Sequence, residues 1–454
     1  MRNKYLALCT IAALSLSVVP LTYAAKMKYK LPEAVTDADY YDNGHPDNAK
    51  VQLGKVLFYD KITGGNKDIS CATCHHDLTA SGDGLSLGVG AGGRGLGVTR
   101  DTGSGQFAIR ARIPRNAQPL FNIGAKSFTA MFHDGRVEID PKQPGVFKSE
   151  VGNKLPANFD NVLAVQAMFP VTVPNTMPGK KGQNPVADAA EAGKITEPGG
   201  VWDLLGARLR ENPEYVEMFT KVFGIKANEI NFVYASNAMA AFEAYAWRAD
   251  KSPFDQYLRG DKDAMTKVQK RGMNLFYGKA NCASCHNGKF QTDNLFHAIA
   301  MPQIGPGKGV GYMEREDYGR EFATKNVADR YKFRTPSLRN IVLTGPWGHG
   351  GAYNTLEGVV RHHLDPVASL KAYDCKNEPL MPSRPDLDAI DCLVQNNAKT
   401  VDAIAKANEL APVKLSKKEM GELMAFLGAL TDPASLDMRA NVPKRVPSGL
   451  PMAE

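Results

Sequence analysis

The sequence predicts an all-α fold in two helical domains, and three observations carry that expectation. Apolar residues recur at helical spacing in stretches spread from Val51 to Leu430, while the two-residue alternation of strands is scarce. A length of 454 residues exceeds what one ordinary core organises. A helix followed by Cys-x-x-Cys-His occurs twice, so the chain carries a loose internal duplication.

The repeated pentapeptide is Cys71-Ala72-Thr73-Cys74-His75 and then Cys282-Ala283-Ser284-Cys285-His286. This is the attachment signal of c-type haem. Each thiol adds to one vinyl group of the haem, and the adjacent histidine ligates the iron from below. A zinc site or a redox dithiol are the alternatives for such cysteine pairs. On the haem reading the fold is two cytochrome-c-like helical domains, each with one covalently bound c-type haem. The first spans 26–254 and the second 255–454.

Residues 1–25 read as a secretory signal peptide. Arg2 and Lys4 form its charged start, Tyr5 to Val19 its apolar run, and Thr22-Tyr23-Ala24 a small-residue site for cleavage near Ala24 or Ala25. The run is short for a bilayer span, so no membrane span is expected. Export points to the periplasm, and Cys9 leaves with the peptide. Of the six remaining cysteines, Cys375 and Cys392 lie outside the haem signals. In an oxidising compartment they favour a disulfide, worth about 3 kcal/mol for such a loop, over two unrelated buried thiols.

Taken in order, residues 26–50 are polar and read as an extended lead-in. Val51 to Tyr59 has helical spacing and leads into the first haem signal. Gly82 to Gly105 is glycine-rich; its Gly88-Val89-Gly90-Ala91-Gly92-Gly93 formally matches a dinucleotide fingerprint. No strand precedes it and no helix pattern follows, so an irregular loop near the first haem is the better reading. Pro and Gly are dense from 170 to 200 and suggest a long loop. Val201 to Phe223 and Ile230 to Trp247 read as two helices, and Ser252-Pro253 opens a connector. Ala264 to Tyr277 leads into the second haem signal, and Glu419 to Leu430 is a final amphipathic helix.

The composition is that of a globular chain, with 43% hydrophobic and 23% charged residues. Its net charge of +7 includes no basic run, which argues against nucleic acid as a partner.

Longer blocks point further. They include Leu53-Gly54-Lys55 with Leu57-Phe58-Tyr59-Asp60, Arg115-Asn116, and Phe132-His133-Asp134-Gly135-Arg136. Later come Ser252-Pro253-Phe254-Asp255, Gly272 with Leu275-Phe276, Phe333-Arg334-Thr335-Pro336-Ser337-Leu338-Arg339-Asn340, and Thr344-Gly345-Pro346-Trp347 with His349-Gly350-Gly351. Together they resemble the bacterial di-haem cytochrome c peroxidase family, which includes the MauG-type enzymes, over nearly the whole mature chain.

That resemblance implies a division of labour. The C-terminal haem accepts electrons from a small cytochrome c or cupredoxin, and the N-terminal haem reduces hydrogen peroxide to water. MauG-type members instead use peroxide to oxidise residues of a partner protein, and a plain electron carrier is a third possibility. A homodimer is one assembly the resemblance allows. The family's second ligand to the C-terminal iron, methionine or tyrosine, stands 17 residues after the proline matched here by Pro346; that position is His363. Iron ligation by His286 and His363 follows, with His362 as a surface neighbour, and imidazole in place of methionine lowers the potential. The family's inactive-resting members carry a histidine after the first signal, but residues 78–112 hold none. An open or water-bound iron over His75 is therefore implied, and His76 is too near His75 to reach the opposite face.

On the distal side the family's glutamine matches Gln166, but its glutamate falls at Thr176, a poor acid–base group. Either Glu191 or Glu197 from the nearby loop substitutes, or peroxide turnover is slow. The family's tryptophan between the haems is His133 here, with Trp347 and Trp202 as other aromatic candidates whose ordinary role is core packing. Finally, the resemblance implies calcium between the domains at Asn116, Thr344 and Pro346, where Asn116 otherwise caps a turn.

Overall fold

Two helix crossings of the same design organise the structure, a computed structural model in which residues 30–452 are described. In the first half the Asn48–Tyr59 helix crosses the Phe232–Ala246 helix. They approach closely because Gly54 has no side chain: a Cβ there would overlap the backbone carbonyl of Ala238. In the second half the Lys267–Phe276 helix crosses the Lys417–Gly428 helix, and a Cβ on Gly272 would overlap the carbonyl of Glu422. One turn on from each glycine a phenylalanine seals the crossing. Phe58 meets Phe242 at 5.5 Å between ring centres, and Phe276 meets Phe426 at 5.2 Å. Both halves thus spell Gly-x-x-Leu-Phe-Tyr, and both lead into a Cys-x-x-Cys-His turn.

The helices begin where local chemistry lets them. Asp47, Thr266 and Ser416 cap the crossing helices by accepting from the orphan amides of Lys50, Gln269 and Glu419. The single helix expected over Val201 to Phe223 is two, Val201–Arg210 and Pro213–Phe223. Pro213 has no amide proton to continue the first helix, and Asn212 caps the second. The expected loop from 170 to 200 contains a short helix, Pro185–Glu191. Four helices that periodicity did not reveal, among them Leu356–Leu364 and Ala398–Lys406, fill the second half.

Helix makes up 41% of the molecule and strand very little. Ala130–Met131, Val137–Ile139 and Phe147–Lys148 form a small antiparallel sheet, and Phe296–His297 pairs with Phe333–Arg334. The glycine-rich stretch is irregular, as expected. The buried Arg100 guanidinium gathers it by donating to the carbonyls of Val89, Gly90 and Gly95 at 2.8–3.0 Å.

Cys375 and Cys392 form a disulfide, with Cα atoms 5.8 Å apart. The chain end returns to the first half: Met438 and Val446 pack with Phe58 and Trp247, and Ser448 donates to Asp60 at 2.6 Å. The expected signal peptide lies outside the described residues. Among the described residues no helix is long and apolar enough to cross a membrane.

Candidate haem sites and the charge cluster between them

Each Cys-x-x-Cys-His turn winds tightly enough to aim its histidine. Ser70 precedes the single helical turn Cys71–Cys74, and the His75 amide donates to the Cys71 carbonyl at 3.0 Å. In the second motif the His286 amide donates to the Cys282 carbonyl at 2.9 Å. None of the four motif cysteines forms a disulfide, and all four are half-buried.

The histidine rings are fixed by backbone carbonyls. His75 Nδ1 lies 3.0 Å from the Ser81 carbonyl, and His286 Nδ1 lies 3.2 Å from that of Gln291. A carbonyl only accepts, so Nδ1 carries the proton and Nε2 keeps its lone pair for a metal. In both motifs the accepting residue has left-handed backbone, with φ of 61° at Ser81 and 48° at Gln291, which turns the carbonyl back toward the ring. Burial pulls all these imidazoles toward the neutral form; His286 falls to about 4, with His363 adding to the effect, and His75 falls in the same direction. Neutral imidazole is the ligating form.

His363 faces His286. It sits on the Leu356–Leu364 helix, its Nδ1 donates to the Val359 carbonyl at 2.8 Å, and burial lowers its pKa. The two ring centres are 6.2 Å apart. Metal–nitrogen bonds of about 2 Å, with each ring centre about 1 Å behind its nitrogen, call for roughly 6 Å across one metal ion. The pair therefore fits an iron between them. Among the described residues no imidazole faces His75 in this way.

His362 is not the surface residue expected. It is fully buried, and its two nitrogens meet the Tyr353 hydroxyl at 2.9 Å and the Ile299 carbonyl at 2.8 Å. Consecutive residues on a helix point about 100° apart, so His362 enters the core while His363 turns to His286.

The distal candidates are less united. Gln166 is the residue of the Val162–Ala167 helix that escapes burial. The Thr176 hydroxyl is spent within its own turn, donating to the Pro170 carbonyl at 2.7 Å and lying against that of Val173. Arg110 connects that turn to Glu191, pairing with the carboxylate at 3.1 Å and donating to Asn175 at 3.1 Å. Glu197 bonds its own neighbour Thr196.

His133 lies among charges that join the halves. Arg115 donates to Asp134 at 2.7 Å and to Asp317 at 2.6 Å, all three buried. Burial, Arg115 and His349 together hold His133 well below its usual range, so it is a neutral imidazole there. His349 stacks on Phe333 at 3.8 Å and its Nδ1 lacks a protein partner. Arg334 is likewise buried, with Nη1 unpartnered. Sequence reasoning did not assign roles to Arg115, Asp317, His349 or Arg334, because no spacing rule links residues so far apart.

Trp202 and Trp347 are packing residues whose indoles donate to the carbonyls of Met168 at 2.8 Å and Ile341 at 3.0 Å. Asn116 donates from its side chain to the Leu85 carbonyl at 2.8 Å and from its backbone to the His349 carbonyl at 2.9 Å. The second bond ties Asn116 to the segment that follows Thr344 and Pro346. Among the described residues the one cluster of His, Cys, Asp and Glu with metal-holding geometry is elsewhere, at Cys285, Asp293 and His297.

Comparison with known proteins adds an independent line. The family model described as di-haem cytochrome c peroxidase matches residues 48–263. The chain is 28% identical over 419 residues to the methylamine utilization protein MauG of Methylorubrum extorquens, covering 91% of this chain and 87% of that protein. It is 27% identical over 331 residues to the cytochrome c551 peroxidase of Pseudomonas aeruginosa, covering 73% and 75%. The crystal structure of a MauG-like protein associated with microbial copper homeostasis shares the fold, with a TM-score of 0.57, 24% identity, and coverage of 92% of this chain and 97% of that one.

Proposed function

We propose that the chain is a periplasmic peroxidase of the bacterial di-haem cytochrome c peroxidase and MauG family, reducing hydrogen peroxide to water. Peroxide reacts on the His75 side, and electrons enter on the His286 side from a small cytochrome c or cupredoxin. When bound at the two Cys-x-x-Cys-His turns, haem supplies the iron redox chemistry.

The carrying observation is an asymmetry of ligands. His286 and His363 stand 6.2 Å apart and occupy both faces of their site, holding it rigid while its charge changes. His75 presents one nitrogen and leaves the opposite face for a small ligand. Carbonyls orient all three rings, so neither site has to reorganise its protein ligands. The division into two domains near residue 255 is supported by the repeated helix crossing, although the segment from Met438 onward packs with the first core.

Calcium suits the oxygens of Asn116, Thr344 and Pro346. The Asn116 nitrogen is already turned to the Leu85 carbonyl, which leaves its oxygen for a cation.

A second reading has its own support. With its hydroxyl spent on carbonyls, Thr176 provides no carboxylic acid for peroxide cleavage, which favours slow turnover and MauG-like oxidation of a partner protein.

Electron paramagnetic resonance of the oxidised holoprotein, with peroxide consumption driven by reduced cytochrome c, tests these readings. The wild type should show one high-spin and one low-spin haem. His363→Ala should convert the low-spin signal to high-spin and slow donor-driven consumption by about tenfold or more. Two low-spin haems indifferent to peroxide would leave an electron carrier. Peroxide oxidation that is discharged by modifying a partner protein selects the second reading.

A further inference from the structure

A cavity of about 670 Å³ opens on the first half, beside the Asn175–Pro178 turn. Its wall residue Gly65 donates to the Met177 carbonyl at 2.9 Å, and Asn184 donates to that of Pro178 at 2.9 Å. Four cations line it: Lys67, Lys180, Lys181 and Arg208. None of the described residues lining it is acidic.

The polar floor reinforces that sign. The side-chain oxygen of Gln183 accepts from Asn66 at 2.9 Å and from the Lys180 amide at 2.8 Å. The oxygen of Asn66 accepts from Asn184 at 2.7 Å, and that of Asn184 accepts from the Ala187 amide at 2.9 Å. Three of the four side-chain amide oxygens that line the cavity are therefore engaged inside the protein, the fourth being that of Gln106. A ligand meets cations and N–H donors instead. Arg208 is locked in place by the carbonyls of Ile62 and Gly64 at 2.9 and 2.6 Å, hydrogen-bond partners that carry no charge themselves. Lys180 gives one proton to the Gln106 carbonyl at 2.8 Å, and an ammonium has two more.

We propose that this basin binds a small polyanion carrying two or more phosphate or carboxylate groups. Its volume falls within the roughly 300–1,000 Å³ of small-molecule sites, and its concavity suits a compact ligand better than a protein surface. Four cations around one basin favour a multivalent anion over a monovalent one. The proposal stands apart from the peroxidase reading, because it uses none of the haem-site residues.

Calorimetric titration of the holoprotein with pyrophosphate and, separately, citrate tests it. Lys67 and Lys181 are exposed, so Lys67→Ala/Lys181→Ala spares the fold. Binding should weaken about tenfold in that variant, persist in Lys67→Arg/Lys181→Arg, and fall as sodium chloride rises past about 0.1 M. Tighter binding of pyrophosphate identifies a phosphate ligand, and tighter binding of citrate a polycarboxylate. The proposal is overturned if neither anion binds the wild type, if the alanine variant binds as well as the wild type, or if an acidic polypeptide alone binds.

Discussion

Glu243 is the most unusual single residue of the first half. It lies buried in a helix that is otherwise almost wholly apolar, its Oε2 has no hydrogen-bond partner, and its charge is felt at the Cys71 thiol. Burial raises its carboxyl from the usual 4.5 to about 8. Between those two values the native protein holds a proton that the unfolded chain releases. Stability from this group is therefore full below about pH 4.5 and declines as pH rises to about 8, where it levels out. Glu243→Gln should flatten that decline: urea midpoints of the variant, relative to wild type, rise steadily from pH 5 to pH 8. A constant difference across that range would refute the burial argument. The residue was visible in the sequence as a lone carboxylate in an apolar helix, a pattern that asks for an explanation. His363 was legible through the family resemblance, which implies a ligand at that position, whereas the burial of His362 was not, because adjacent histidines look alike until the helix assigns their faces.

At the scale of elements, the two helix crossings repeat one solution to one packing problem. Adding an isopropyl group at Gly272 would push its Cβ into the carbonyl of Glu422, and backbone cannot move aside as a side chain can. Gly272→Val should cost about 3 kcal/mol or more, read as a lower urea midpoint, while Gly421→Ala, with open space at its Cβ, should not. Equal midpoints for the two variants would show that the crossing tolerates separation. The crossing helices were legible because their apolar stripes are long and their caps are strong. The break at Asn212-Pro213 carried its own signal, a capping residue before a proline, which the continuous apolar spacing across it obscured. The short helices after His363 were not legible, since six to nine residues give too few turns for a period to emerge. The disulfide was legible by compartment, since the expected export and the two expected haem signals left Cys375 and Cys392 for each other.

On the scale of the whole molecule, one arginine fastens the two halves. Arg115 comes from the first half with Asp134, and Asp317 from the second. Burial alone would raise both carboxyl pKa values, but the guanidinium overrides it and takes Asp317 down to about 2 and Asp134 lower still. A carboxylate depressed in this way stabilises the fold above its unfolded value of about 3.9, and the contribution disappears as pH falls toward 2. Arg115→Met keeps the bulk and removes the charge, leaving Asp317 buried without its guanidinium while Asp134 keeps Arg136 at 3.1 Å. Breaking a buried pair in this manner costs about 3–5 kcal/mol. The loss should be largest at pH 7 and should shrink steadily as pH falls toward 2.5, because carboxyls that burial raises and Arg115 no longer holds down take up protons. Thermal unfolding across that range measures it directly. A deficit that stays the same at pH 3 and pH 7 would mean that Arg115 acts through packing, and that the halves are held by other contacts such as Arg112 with Asp391 or Arg320 with Glu138.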